Sequence, residues 1–232
     1  MKAMILAAGR GERMRPHTDT LPKPLLEING KPLIVYHIEK LVASGFKEIV
    51  INHAWLGEKI PAYLGNGSQY GAEITYSAEN NGALETAGGI AKAIPLLGKD
   101  EPFIVVNGDV YTDYDFNDLP SLATDKQAHL VLVNNPEHNL SGDFLCEQGM
   151  LLNKTADQMS EASFTFSGIA IYRASFFQSL LNENETVQAL GPMLRNAAKN
   201  SLASASVYLG NWTDVGTPER LAKLNQLESR ES

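Results

Sequence analysis

The sequence predicts an α/β fold: a Rossmann-like mixed, mostly parallel sheet with helices on both faces. Three observations carry that expectation. Strand-like and helix-like segments alternate through the first half, which is the rhythm of βαβ units. The first apolar run, Met4 to Ala8, ends abruptly in a glycine turn, Gly9-Arg10-Gly11. The 232 residues, 44% hydrophobic and 20% charged, are enough for one substantial core, so a single domain over 1–232 is expected.

Each element has its own signal. Pro32 opens and Gly45 closes a helix that carries Leu33, Tyr36 and Leu41 at helical spacing. Glu48 to His53 and Glu73 to Ser77 read as strands, with a shorter helix, Leu56 to Leu64, interrupted at Pro61 between them. Glu85 to Leu97 reads as a helix despite Gly88 and Gly89, and Phe103 to Asn107 as a buried strand. In the second half, Ala128 to Val133, Phe164 to Tyr172 and Ala203 to Leu209 are strand-like. Leu190 to Asn200 and Pro218 to Glu228 are helical. Asn134 to Ser163 is polar and poorly patterned, a hairpin or a flap over the site. In open parallel sheets ligands bind beyond the carboxyl ends of the strands, and the motifs below sit at such ends.

The net charge of −8 argues against a nucleic-acid or anionic-membrane surface, so an anionic ligand must be met by a local cluster or a metal. A single cysteine, Cys146, excludes an intrachain disulfide and fits a reducing compartment. The amino terminus does not read as a signal peptide, and no stretch is long enough to cross a bilayer, so a cytoplasmic location is expected. Nothing in the sequence sets an oligomeric state.

The local cluster is easily found. Arg10, Arg13, Arg15 and Lys23 stand against only Glu12 and Asp19. Backbone N–H groups beside fixed cations suit a polyanion such as a nucleotide's phosphates. Lys23 lies between Pro22 and Pro24, so its backbone has little freedom to lose when its ammonium is held in place. The bland reading is two turn glycines and a solvated basic loop. The dinucleotide fingerprint fails because Met14 stands at its third glycine position, and no Walker loop is present. Asp109, in Asn107-Gly108-Asp109, projects from the end of a strand, and Asp214 lies between a strand and the last helix. Both also read as turn or capping residues. His17, His37, His53, His129 and His138 are scattered, offer no zinc site with the lone cysteine, and read as packing or surface residues.

Leu6 to Leu25 matches L-A-A-G-x-G-x-R-M-x-P-x-T-x-x-x-P-K-P-L and so resembles the signature of the sugar-1-phosphate nucleotidyltransferases. The resemblance implies the nucleotide-diphospho-sugar transferase fold. It also implies transfer of a nucleotidyl group from a nucleoside triphosphate to a sugar 1-phosphate with release of pyrophosphate. Leu6, Ala7, Ala8, Gly9 and Gly11 would cradle the nucleotide, Lys23 would steady the meeting phosphates, and Arg13 would neutralise the departing pyrophosphate. Asp109 and Asp214 resemble the family's metal aspartates, which implies Mg²⁺, an ion that prefers an octahedral oxygen shell. Glu79 to Gly89 is similar to the base-reading loop, making Asn80, Glu85, Thr86 and Gly89 candidates, with Asn107 beside them. Helix-start chemistry explains the same residues. Thr165, Ser167 and Gly168 match the sugar-pocket segment, although alternating polar positions on a strand would look alike.

Two departures stand out. Glu85 replaces the commoner glycine before Thr86, and the Glu-Lys-Pro whose lysine holds the sugar phosphate is missing, with Lys154 the nearby lysine. The detail from Ile51-Asn-His-Ala-Trp-Leu-Gly57 to Trp212-Thr-Asp-Val-Gly-Thr217 is most similar to members that transfer UMP from UTP to N-acetylmuramate 1-phosphate in peptidoglycan recycling. No appended β-helix is expected. Mannose- or glucose-1-phosphate nucleotidyltransferases using GTP or another triphosphate remain alternatives, as does a catalytically silent regulatory subunit that binds nucleotide-sugars. Such a subunit would be expected to lose Arg13, Lys23, Asp109 or Asp214, and all are present.

Overall fold

The computed structural model describes residues 1–154, 163–181 and 186–231. The first strands are β1 (Ala3–Leu6), β2 (Glu27–Ile28), β3 (Lys31–Pro32), β4 (Glu48–His53), β5 (Glu73–Ala78), β6 (Phe103–Asn107) and β7 (Val110–Thr112). Then follow β8 (Ala128–Val133), β9 (Phe144–Glu147), β10 (Met150–Asn153), β11 (Ser163–Tyr172), β12 (Ala203–Tyr208) and β13 (Trp212–Asp214). The α-helices are α1 (His17–Thr20), α2 (Leu33–Ala43), α3 (Lys59–Leu64), α4 (Glu85–Leu97), α5 (Leu190–Lys199) and α6 (Pro218–Glu231).

Among the described residues nine strands form one sheet in the order β5-β4-β1-β6-β11-β8-β12-β10-β9. The amino-terminal half, β5-β4-β1-β6, is parallel throughout. Strand β11 is antiparallel to both β6 and β8, and parallel pairing returns only at β8–β12. Strand β9 pairs with β10 and also with the start of β11, so the far half of the sheet curls back on itself.

Alternate residues of a strand face opposite sides, and the cores follow that rule. Met4, Val50, Phe103 and Val105 pack with Ile90 and Ile94 of α4 and Leu194 of α5 on one face. Ala3, Ile5, Ile49, Ile51, Ile104 and Val106 pack with Ile34 and Ile38 of α2 and Ile60 of α3 on the other. A smaller cluster, including Met14, Ile28, Leu33, Val215 and Leu221, ties the basic loop to α6.

Several expected elements appear with the bounds read from sequence, namely β4, α4, β6 and β8. The helix expected from Leu56 begins only at Lys59, because Leu56 takes a left-handed φ of 49°. Pro61 then sits in the first turn, where its missing N–H costs nothing. The poorly patterned segment after Asn134 contains the β9–β10 hairpin, and its residues 155–162 lie outside the described residues. The ribbons β2–β3 and β7–β13 have no signal in the pattern, since two- and three-residue strands are too short to show a period.

The chain steps from β1 to β4 to β5 on one side, then crosses to β6 on the other side of β1. The strand order therefore reverses at β1–β6, the place where a crevice opens beyond the carboxyl ends.

Candidate active site

The basic loop is built at that reversal point. Ala7 N–H donates to Asn52 Oδ1 at 2.8 Å, which ties the loop to the end of β4. Gly11 has φ 68°, and a Cβ there would stand 3.0 Å from Thr18 Cγ2 and 3.2 Å from Lys23 Cβ. Both the left-handed backbone and the close approach require glycine. Nothing lies within 4 Å of where a Cβ would stand on Gly9, so the backbone there is open to a ligand. Lys23 sits in a short turn closed by Leu25 N–H to Pro22 O, 2.9 Å, and Leu26 N–H to Lys23 O, 3.0 Å. Its side chain is only 10% exposed, and its Nζ lies 2.5 Å from Asp109 Oδ2.

Asp109 follows β6, where Gly108 N–H donates to Leu6 O at 2.9 Å. The ribbon β7–β13 pairs Val110 with Asp214, and Val215 N–H donates to Asp109 O at 2.8 Å. Two aspartates far apart in sequence thus flank one junction. Asp214 Oδ2 is 2.5 Å from Arg220 Nη1, and His138 Nε2 is 3.0 Å from Oδ1. Oδ1 is buried, with that imidazole as its neighbour. His138, read from sequence as a packing or surface residue, and Arg220, not singled out at all, are both part of this junction. Arg13 is exposed, and its Nη2 and Asp214 Oδ2 lie 3.6 and 3.0 Å from where a Cβ would stand on Gly216.

The junction fits a hard divalent cation. The carboxylates of Asp109 and Asp214, here paired with Lys23 and with Arg220 and His138, are hard oxygen donors of the kind such a cation takes. Among the described residues no group of three or more His, Cys, Asp or Glu side chains could hold an ion unaided. Phosphate oxygens and water would have to complete the shell.

The other wall is braced by a buried polar network. Asn52 Nδ2 donates to Glu79 Oε1 at 2.6 Å, and Leu84 N–H donates to Glu79 Oε2 at 2.8 Å. A Cβ on Gly89 would stand 2.7 Å from Glu79 Oε1 and 2.8 Å from Asn52 Nδ2, which explains the glycine. A Cβ on Gly88 would meet the Thr186 carbonyl oxygen at 2.1 Å. That approach lets Gln188 O accept from Ala87 N–H at 2.9 Å and Gly88 N–H at 3.2 Å, so a strap of backbone caps α4. Glu85 opens α4 with φ 60°. Glycine is the residue at home in this conformation.

A cleft of about 320 Å³ runs between these walls. Of the residues expected from sequence, Leu6, Ala7, Ala8, Gly9, Lys23, Glu85, Thr86, Asn107 and Asp109 line it. Gly11, Arg13, Asn80, Gly89, Thr165, Ser167, Gly168 and Asp214 do not. Arg10, Pro24, Asn52, Glu79 and Ala83 complete the lining. Asn52, next to the last residue of β4, and Glu79, which follows β5, lie in segments that resemble the family, but their bond to each other shows only in the fold.

The expected sugar segment is a bulge in β11. Ser167 Oγ donates to Val131 O at 2.7 Å and accepts from Ile169 N–H at 3.1 Å, so the hydroxyl is already engaged. Thr165 Oγ1 donates to Asn135 Oδ1 at 2.9 Å and accepts from Asn139 Nδ2 at 3.1 Å. Gly168, with φ 81°, lets Asn107 pack where a Cβ would stand, 2.7 Å from Asn107 Cγ. Lys154 donates to the carbonyls of Ser141 and Gly142, the latter at 3.0 Å, and so pins that loop.

A mixed sheet whose parallel half carries a basic glycine loop and strand-end carboxylates at its reversal point is the construction of a nucleotide-handling transferase. The chain belongs to the nucleotidyl transferase family, whose model matches residues 2–144. It is 51% identical over 231 residues to N-acetylmuramate alpha-1-phosphate uridylyltransferase of Neisseria meningitidis serogroup B, covering 98% of each chain. It is 35% identical over 230 residues to mannose-1-phosphate guanyltransferase of Yarrowia lipolytica, covering 94% of this chain and 61% of that protein. The fold is shared with a Bacillus anthracis protein assigned as a glucose-1-phosphate thymidylyltransferase, with TM-score 0.82 and 21% identity over 98% of this chain and 94% of that one. It is also shared with a UDP-glucose pyrophosphorylase complexed with UDP-glucose, with TM-score 0.76 and 20% identity over 100% and 99%. Among the described residues no helix is long and apolar enough to cross a membrane.

Proposed function

We propose that this chain, working as a single nucleotidyltransferase domain, transfers UMP from UTP to N-acetylmuramate 1-phosphate with release of pyrophosphate. The observation that carries the substrate choice is the 51% identity to the Neisseria enzyme over 98% of both chains. N-acetylmuramate 1-phosphate would come from recycled peptidoglycan, and the single free cysteine, Cys146, is in keeping with a reducing cytoplasm.

The mechanism follows from charge. A phosphate monoester has its second pKa near ~6, so the attacking oxygen is already ionised at neutral pH and needs no general base. That oxygen bonds to the α-phosphorus as the bond from phosphorus to the β-bridging oxygen breaks, and pyrophosphate leaves with the bonding pair. The problem is to bring two polyanions together and hold the crowded five-coordinate phosphorus, which positioning and fixed charge can do. Lys23, 2.5 Å from Asp109, exchanges that partner for the phosphate oxygens. The open backbone at Gly9 cradles the triphosphate, and Arg13 balances charge at the rim. Asp109 and Asp214 would hold Mg²⁺, which supplies neutralisation of phosphate charge when bound.

The test is pyrophosphate release with a matrix of four nucleoside triphosphates and several sugar 1-phosphates, with and without Mg²⁺. UTP with N-acetylmuramate 1-phosphate is expected to give the highest kcat/KM, and chelation to abolish it. Preference for GTP with mannose 1-phosphate would replace this reading by the guanylyl one. Release in no combination would leave a silent binding protein.

A further inference from the structure

Beyond Lys23 and Arg13, we propose that Arg10 is a third, preordered phosphate ligand that takes the outer phosphates of the triphosphate and the pyrophosphate they become. This rests on the nucleotidyl-transfer reading above. Arg10 lines the cleft one residue beyond the open Gly9. Its guanidinium carbon lies 3.8 Å from the centroid of the Trp55 ring, a close cation–π stack. The platform is itself fixed: Trp55 Nε1 donates to Thr18 O at 3.0 Å, and Thr18 Oγ1 donates to Gly11 O at 2.8 Å. Lys59 Nζ, from α3, donates to Thr20 O at 2.6 Å and holds the same short helix. The stack therefore closes a ring of contacts from residue 10 through 55 and 18 back to residue 11.

An arginine on a solvated loop normally loses considerable rotamer freedom when it grips an anion. Here the indole already holds the guanidinium. Arg10 Nε lies 3.2 Å from Glu12 Oε1, and among the described residues its two Nη groups have no protein partner, leaving a paired donor edge for phosphate oxygens. Lys23 is the residue read above as meeting both substrates, and Arg10 shares its cleft while being stacked on Trp55 of the β4–α3 connection rather than on the strand that precedes Asp109.

The chemistry gives a discriminating test. Nucleoside triphosphate and pyrophosphate carry the outer phosphates, whereas the nucleotide-sugar and the sugar 1-phosphate do not. Arg10→Ala is expected to raise KM for UTP, and for inorganic pyrophosphate in the reverse reaction, by about 10-fold or more, the usual loss for one charge-assisted contact. KM for UDP-N-acetylmuramate and for the sugar 1-phosphate should stay within about twofold. Trp55→Leu should shift the same two constants in the same direction but less, because the cation remains while its platform is lost. Calorimetric titration of pyrophosphate into wild-type and Arg10→Ala protein gives the same comparison without turnover. An unchanged pyrophosphate KM and affinity in Arg10→Ala, or equal rises for all four substrates, would overturn the proposal. Absence of turnover in the wild-type protein would instead sink the nucleotidyl-transfer reading itself.

Discussion

Glu85 stands in a conformation that glycine favours, at the lip of a cleft. An L-residue at left-handed φ costs roughly 1–2 kcal/mol, and such outliers persist where the surroundings hold them. Glu85→Gly is therefore expected to raise stability by about 1 kcal/mol, read as a higher Tm. A lower Tm would show that the Glu85 side chain contributes more than its backbone costs. Residue-level legibility was uneven for a physical reason. Lys23, Gly9 and Asp109 sit in contiguous motifs whose spacing reports their chemistry, and they meet in the cleft. The Asn52–Glu79 bond joins residues 27 positions apart, and Arg220 and His138 reach Asp214 from separate elements. No local pattern encodes such pairings. The polar alternation of Thr165 and Ser167 is equally ambiguous, and their hydroxyls turn out to serve the bulge and the neighbouring loop.

At the scale of elements, helix α4 joins sheet and cleft: it packs on the one and its first residues line the other. Its two glycines do different jobs: Gly89 admits the Asn52–Glu79 network, and Gly88 admits the strap that caps the helix. Gly88→Ala would place a methyl group 2.1 Å from the Thr186 carbonyl oxygen, and the backbone would have to move. A loss of about 1–3 kcal/mol is expected, as for other overpacked sites, with a raised KM for the triphosphate because Glu85 and Thr86 begin the same helix. Denaturant unfolding matching wild type would show that the strap is free to retreat. Strongly periodic elements such as α4, β6 and β8 were legible to the residue. The ribbons β2–β3 and β7–β13 were not, yet β7–β13 is what sets Asp214 opposite Val110, the residue after Asp109.

For the whole molecule, the sheet does two jobs with its two halves. The parallel half supplies the reversal point and the cleft, and the curled half carries β11 and its bulge toward that cleft. The curled half also holds a buried histidine, His129, whose ring bonds Ser204 at 2.9 Å and Ser206 at 3.0 Å. Burial lowers its pKa from 6.5 to about 4. The folded state thus binds the proton less readily than the unfolded chain. The stability conferred by the neutral ring is complete above pH 6.5 and lost as pH falls from 6.5 toward 4. Tm should decline over that window, and less steeply in His129→Gln. Equal slopes in the two proteins would remove His129 from the acid sensitivity.

The central claim is that two polyanions react because one buried ammonium at the reversal point draws their phosphates together. Its most direct test is the single-turnover rate of nucleotidyl transfer in Lys23→Met, with both substrates saturating and the fold checked by circular dichroism. A fall of about 10²–10³-fold is expected, the usual loss for one preorganised charged donor. A folded variant that transfers the nucleotidyl group at close to the wild-type rate would contradict it.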